Sequence, residues 1–348
     1  MPKPEDTQSD WLVIVPTVQL AIINDPPIGG QWKVGDVTFM SKEAMANCLH
    51  QPNLPNEPSE HVRQWVMTNP IMGEHQGFAV TTRTGTPTEI RKTVFRDLRE
   101  AVHVLASTNA MFSKRSSMRG FTLQGSPFVS GRKDCFLDLV GSSSPSSIWC
   151  QHGMLVPFEL DANWHSTVTA SGMIKLFDRI LDRNLDPNWR RQIKSAAAML
   201  GKSQMALERA DAFLLDVMGL ETLLTVQGER NGKKLSKRIK GMVGWHLRGA
   251  RPGYVDEIKR IHEVRCEIVH DSDFSNLTTE LLLQADMYLV NSLTNIINLP
   301  AMFPDKDAMI AITDGYAENE NWPIDGSVPF RWIGNPNFNP ADVNLHLW

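Results

Sequence analysis

The chain contains few cysteines, and they are far apart in the sequence. There are 4 among 348 residues, namely Cys48, Cys135, Cys150 and Cys266. No two of them stand close enough to begin a zinc-binding motif, so we expect no metal site built on cysteine. Scattered single thiols are typical of a reducing compartment, and we therefore expect free cysteines and a cytoplasmic location.

Long apolar runs and an excess of positive charge are also missing. No apolar run approaches the roughly 18 residues that a transmembrane helix needs, so we expect no membrane partner. The first residues, MPKPEDTQSD, are polar and acidic and do not resemble a signal peptide. The formal net charge is −4, which excludes a general attraction to nucleic acid. Any contact with RNA has to come from a local basic patch.

The sequence pattern changes near residue 160. Before it, candidate strands alternate with clusters of glycine and serine, and one amphipathic helix is predicted over Pro87–Phe112. The candidate strands are Trp11–Ile23, Gln31–Met40, Gly77–Thr82, Gly120–Val129, Asp134–Val140 and Ile148–Leu160. Pro16 interrupts the first of them, which indicates an edge strand or a bulge. Ser41 is the predicted N-cap of a short helix that follows.

Helical periodicity dominates the next part of the chain. The predicted helices are Ala162–Leu181, Asn188–Leu200, Ser203–Leu224, Lys233–Leu247, Val255–Val269 and Leu277–Leu299, the last capped by Ser275. The final residues are rich in proline, asparagine and tryptophan. The sequence thus predicts an α+β protein in three parts: a mixed α/β sensing or regulatory domain (1–160), an all-α bundle (161–300) and an irregular tail or small capping element (301–348).

An arginine and a histidine stand five residues apart at the end of one predicted helix. On a helix of about 100° per residue, Arg265 falls inside the apolar arc of Val255–Val269. A guanidinium at a helix interface is costly unless it is paired. Glu221 lies at the edge of the apolar arc of the helix over Ser203–Leu224. We therefore expect Glu221 to meet Arg265 where the two helices pack.

Arg265, His270 and Glu221 together suit the cleavage of RNA. Arginine stabilises a phosphate that gains charge in the transition state. Histidine transfers protons near neutral pH. Because RNA supplies its own nucleophile, the 2′-hydroxyl, neither a metal nor another cofactor is required. We predict these three residues as catalytic; the alternatives are a structural ion pair for Arg265 and a helix C-cap for His270.

The most basic stretch of the chain comes shortly before this motif. Its members are Lys233, Lys234, Lys237, Arg238 and Lys240. They are the predicted RNA-binding residues, although a solvated helix face is an equally valid interpretation. His262, one turn before the motif, is a candidate for the same cleft, with a surface histidine as the alternative.

The residues around the motif resemble the HEPN superfamily, whose hallmark is an arginine followed, after four to six residues, by a histidine. The similarity is to its ApeA-like branch. Met205–Leu224 resembles the first long helix of that branch, Leu235–Ile239 its basic helix, and Ile261–Asp271 the segment with the motif. The resemblance extends over about residues 165–300.

The resemblance implies a HEPN helical bundle that forms a homodimer, with a cleft built from the arginines and histidines of both protomers. It further implies a metal-independent endoribonuclease that acts in phage defence by abortive infection or as a toxin-like effector. A phage or protein trigger would then act on the N-terminal domain. Two positions depart from the family pattern, Cys266 after the arginine and Asp271 after the histidine. They favour the alternative of a catalytically silent HEPN module that binds a nucleotide or a protein.

Overall fold

The computed structural model describes residues 8–49, 77–112, 121–123, 158–206, 208–229, 231–250, 253–318 and 330–333. The chain forms two compact units, one of Met1–Val102 with Met118–Ser166 and one of His103–Ser117 with Thr167–Trp348. The described strands all lie in the first unit, and most of the described helices belong to the second. The predicted α+β class is therefore confirmed. The division at residue 160 stays a prediction.

An antiparallel sheet is the main feature of the first unit. The described strands are β1 (Ser9–Val18), β2 (Leu20–Ile22), β3 (Gln31–Val34), β4 (Val37–Ser41), β5 (Gly77–Gly85), β6 (Thr122–Leu123) and β7 (Phe158–Leu160). Five of them form a sheet in the order β3-β4-β5-β1-β6, with every pair antiparallel. β2 and β7 pair in parallel. The predicted strand over Asp134–Val140 lies outside the described residues.

Two predicted strands are each divided by a single turn of the backbone. Gln19 has a φ of 63°, which ends β1 and separates it from β2. Gly35 has a φ of 61° and forms the tight turn between β3 and β4, as glycine does in hairpins. β1 lies between β5 and β6, but among the described residues Pro16 itself is paired on one side only, with Phe78 of β5. The proline is tolerated since β6 pairs only with the two residues after it, Thr17 and Val18.

The described helices follow the predicted pattern with shifted ends, except that the predicted helix Ala162–Leu181 is divided into two near Gly172. They are α1 (Lys42–Leu49), α2 (Pro87–Ala106), α3 (Ala162–Ala170), α4 (Lys175–Arg179), α5 (Pro187–Met205), α6 (Arg209–Leu224), α7 (Asn231–Ala250), α8 (Tyr254–Cys266), α9 (Thr279–Asn298) and α10 (Lys306–Glu318). A 3₁₀ turn, Ser107–Met111, follows α2, and a π turn, Glu267–Asp271, follows α8. The last helix lies within the segment for which the sequence predicts a tail or a capping element.

The helix caps test two predictions from single residues. The amide of Ala44 donates to Ser41 Oγ at 3.1 Å, so the predicted N-cap of α1 is confirmed. At α9 the amide of Leu281 donates to Thr278 Oγ1 at 3.2 Å, so Thr278 and not Ser275 is the cap. The chain continues as a loop for three residues beyond Ser275, because Thr278 is the residue whose side chain reaches the first turn.

α9 is the central helix of the second unit, and it packs against α4, α5, α6 and α7. Glycines permit the closest helix contacts elsewhere in this unit. A Cβ at Gly201 of α5 would collide with the carbonyl oxygen of His103, and one at Gly241 of α7 with that of Thr313 in α10. Among the described residues, no helix combines the length and the apolar character that crossing a membrane requires.

Candidate functional site

The motif residues occupy the end of α8 and the π turn that follows. Arg265 is the residue before the last of α8, and His270 lies inside the π turn. In a regular α-helix, residues five apart point about 140° away from each other. In the wide turn the amide of Ser272 donates to the carbonyl of Glu267, five residues earlier. The spacing of Arg265 and His270 therefore departs from that of a regular α-helix.

Arg265 forms the predicted contact with Glu221. Its Nε lies 3.7 Å from Glu221 Oε1, and the two side chains are 26% and 15% exposed. The contact is an ion pair, too long for a hydrogen bond. Within the described ranges, no protein acceptor is hydrogen-bonded to this guanidinium, so its solvent-exposed part can donate to a bound anion.

His270 is exposed on the π turn, beside the exposed Val269 and Asp271. The C-cap of the turn is Ser272, whose φ of 54° is left-handed. The capping role considered for His270 therefore belongs to Ser272. The imidazole is free to reach a ligand from solvent.

His262 has different surroundings from His270. Its Nδ1 lies 3.7 Å from Cys266 Sγ, and its ring is so close to Gly232 of α7 that a Cβ there would stand 2.7 Å from the ring. In the described part of the chain, no hydrogen bond joins His262 to Arg265 or His270. We therefore leave it out of the candidate site.

Arg238, predicted to bind RNA, is buried instead. Its side chain is 1% exposed and makes a bidentate pair with Glu229, at 2.7 and 2.8 Å. Nε donates to Asp314 Oδ1 at 3.2 Å, and Nη1 also donates to the carbonyl of Leu224 at 2.8 Å. The prediction is corrected here: Arg238 lies on the buried face of α7, and its charge is neutralised by protein carboxylates.

The lysines of the same stretch are partly neutralised by α10. Lys237 Nζ donates to Glu318 at 2.6 Å and lies 3.5 Å from Asp314. The hydrogen bond to Glu318, together with the charge of Asp314, raises the pKa of Lys237. Lys234 is 3.9 Å from Asp314. Of the predicted RNA-binding residues, Lys233 and Lys240 alone have no ion pair with a described residue.

Two basic side chains cap the end of α6, the helix that carries Glu221. Lys306 Nζ donates to the carbonyls of Thr222 and Leu223 at 2.7 and 2.5 Å, and Arg238 donates to that of Leu224. These carbonyls lack partners within the helix, and positive charge is favourable at its C-terminus. Burial lowers the pKa of Lys306 to about 7. The caps hold in place the turn from which Glu221 reaches Arg265.

Glu221→Gln should lower the free energy of unfolding by about 1 kcal/mol, because the lost ion pair is partly exposed. Urea denaturation measures the change. Glu263→Gln is the control, since Glu263 is an exposed acid on α8, and it should leave stability unchanged. A cost of about 3 kcal/mol or more would mean that the pair is fully desolvated. No cost at all would contradict the pair.

Because of Glu229, the free energy of unfolding should fall as the pH is lowered in the acid range. The Arg238 guanidinium lowers the pKa of Glu229 from 4.5 to about 2. The carboxylate therefore contributes its full stabilisation above pH 4.5 and loses it as the pH falls toward 2. The loss should be about 2 kcal/mol after allowance for solvent screening. Denaturation of Glu229→Gln between these pH values should show a flatter profile than the wild type; parallel profiles would contradict the assignment.

No similar protein of known function is found that could identify the residues of this site. A scan against protein-family models and searches of curated proteins and of solved structures find no match to this chain. Within the described residues, no group of three histidine, cysteine, aspartate or glutamate side chains is arranged to hold a metal ion. Arg265, His270 and Glu221 are therefore the basis on which a function can be proposed.

Proposed function

We propose that this chain is a metal-independent endoribonuclease of HEPN type. The observation that carries the proposal is the accessible pair of Arg265 and His270 at one helix end, with Glu221 against the arginine. Two observations support it: the imidazole of His270 is exposed, and the Arg265 side chain is 26% exposed with its Nε 3.7 Å from Glu221.

The reaction needs a proton acceptor and a proton donor. As the 2′-hydroxyl attacks the adjacent phosphorus, a base takes its proton, and the bond from phosphorus to the 5′-oxygen breaks. An acid protonates that oxygen, which leaves a 2′,3′-cyclic phosphate and a 5′-hydroxyl. His270 performs one of the proton transfers. Arg265 stabilises the charge that develops on the phosphate oxygens.

A homodimer would provide the second proton-transfer group. Each chain contributes one His270, and two copies facing each other supply an acid and a base. The exposed apolar side chains of Val269 and Phe274 flank His270 and are suited to an interface around such a cleft. The proposed dimer therefore forms through the ends of α8.

RNA would approach over the remaining basic residues, Lys233 and Lys240. A role in phage defence or as a toxin, and a trigger at the strand-rich unit, are implied by the resemblance and belong to the same proposal.

One observation favours a second candidate, a silent HEPN module that binds a nucleotide or a protein. Asp271 places an exposed carboxylate directly beside His270. Negative charge at this position opposes the approach of a phosphate. The two candidates differ in a single property, the cleavage of RNA.

Purified protein incubated with total RNA in EDTA should cleave it, because the proposed chemistry uses only Arg265, His270 and the substrate hydroxyl. Mapping of the new ends should give 2′,3′-cyclic phosphates and 5′-hydroxyls. Activity that EDTA abolishes and Mg²⁺ restores would argue for a different site. Binding of RNA without cleavage would favour the silent module.

A further inference from the structure

Helix α9 holds an extended segment of the chain, Phe330–Ile333, through two asparagines. Asn291 Nδ2 donates to the carbonyl of Ile333 at 3.0 Å, and its Oδ1 accepts from the amide of Ile333 at 2.7 Å. Asn295 does the same with Arg331, at 3.0 and 2.8 Å. Each carboxamide thus pairs with both main-chain groups of one residue, as a neighbouring β-strand would.

The spacing of the two asparagines along α9 matches the spacing of alternate residues in an extended chain. Asn291 and Asn295 are four residues apart, a rise of about 6 Å along the helix. Arg331 and Ile333 are two residues apart, about 6.6 Å in an extended chain. The segment therefore runs antiparallel to α9 with alternate residues paired. Asn291 and Asn295 are 0% and 3% exposed, so the segment satisfies carboxamides that are otherwise enclosed by protein.

Aromatic contacts fix the other two residues of the segment. Phe330 is buried between Phe303 and Tyr316, with ring centroids at 5.9 and 5.4 Å. Trp332 stacks on His246 of α7, with centroids 4.2 Å apart and planes 13° apart. Arg331 is exposed. Among the described residues, every hydrogen bond between the segment and α9 uses the segment's main chain.

We propose that this face of α9 is a peptide-binding site that Phe330–Ile333 occupies in cis. Recognition through main-chain groups does not depend on the side chains at the paired positions. The site therefore takes an extended peptide with aromatic side chains at the positions of Phe330 and Trp332 and any residue with a free amide at the two paired positions, and a partner protein with this pattern replaces the chain's own segment. The inference is independent of the proposed nuclease activity, because it involves neither Arg265 nor His270.

The test uses the full-length chain with Ile333→Pro, which removes the amide hydrogen that Asn291 accepts and weakens the cis segment. The probe is a fluorescent peptide with the sequence of residues 328–335, VPFRWIGN, and the readout is fluorescence anisotropy. The peptide should bind the variant at least about ten times more tightly than the wild type, where the cis segment competes. Equal affinity for both proteins would overturn the proposal.

Methylation of single peptide nitrogens distinguishes recognition of the main chain from nonspecific hydrophobic binding. An N-methyl group at Ile333 should weaken binding about ten-fold or more, since it removes a paired amide. The same group at Trp332, whose amide is not bonded to α9, should change the affinity less than about three-fold. Equal losses at both positions would contradict recognition through alternate amides.

The unmodified chain provides a second measurement if the variant does not fold. Hydrogen exchange at the amides of Arg331 and Ile333 should be at least about ten times slower than at Trp332. Asn295→Ala should speed exchange mainly at Arg331, and Asn291→Ala mainly at Ile333. Uniform exchange along the segment would show that the paired site does not exist in solution.

Discussion

His270→Ala should reduce RNA cleavage by about 10²–10⁴-fold, the usual contribution of a proton-transfer group. The side chain is exposed and lies outside the hydrophobic core. Thermal unfolding and the oligomeric state should therefore remain those of the wild type. The lost activity can then be assigned to chemistry. Cleavage is measured on the RNA that the wild type cuts in EDTA, at several protein concentrations.

His262→Asn is the control for this variant. His262 lies on the same helix but contacts Cys266 and Gly232, so its replacement should leave cleavage within a few-fold of the wild type. Arg265→Ala should be as severe as His270→Ala, although it also strands Glu221. Wild-type cleavage by a folded His270→Ala protein would reject the nuclease assignment at this motif and leave the binding module as the better hypothesis.

Arg238→Met should lower the free energy of unfolding by about 3–5 kcal/mol, because it leaves Glu229 and the carbonyl of Leu224 without their donor and removes one of the three cations beside Asp314. Arg238→Lys should recover only part of the loss, since an ammonium cannot reproduce the bidentate pair with Glu229. Denaturant unfolding at neutral pH measures both changes.

Lys233→Met is the matched control on the same helix. Lys233 is exposed and has no ion pair with a described residue, so the change should be within about 0.5 kcal/mol. If Arg238→Met were equally mild and instead weakened RNA binding, the side chain would lie at the surface and the corrected assignment would be wrong. Because Arg238 caps α6, we also expect its loss to disturb Glu221 and, through it, Arg265.

Periodicity in the sequence was sufficient to predict the α+β class and most helices. The apolar arcs of α6 and α8 also predicted the contact of Glu221 with Arg265. Two helices that pack their apolar faces together bring the residues at the edges of those faces into contact. The helical pattern predicted Arg265 and His270 near the end of one helix, where the structure has them. The wide turn between them did not, since a π turn has no distinctive sequence pattern in this segment.

Tertiary structure decided which charges are structural. Arg238 belongs to an evident basic cluster, and its position three residues after Leu235 and four before Met242 puts it beside the apolar face of α7, but that pattern does not specify its partners. Its burial depends on Glu229, nine residues earlier, and Asp314, 76 residues later. The same applies to Asn291 and Asn295, whose partners are 42 and 36 residues away. Local pattern specifies which face of a helix is apolar, but the rotation and register of packed helices select the partner of each polar group. Those partners determined here which cations remain open to a ligand.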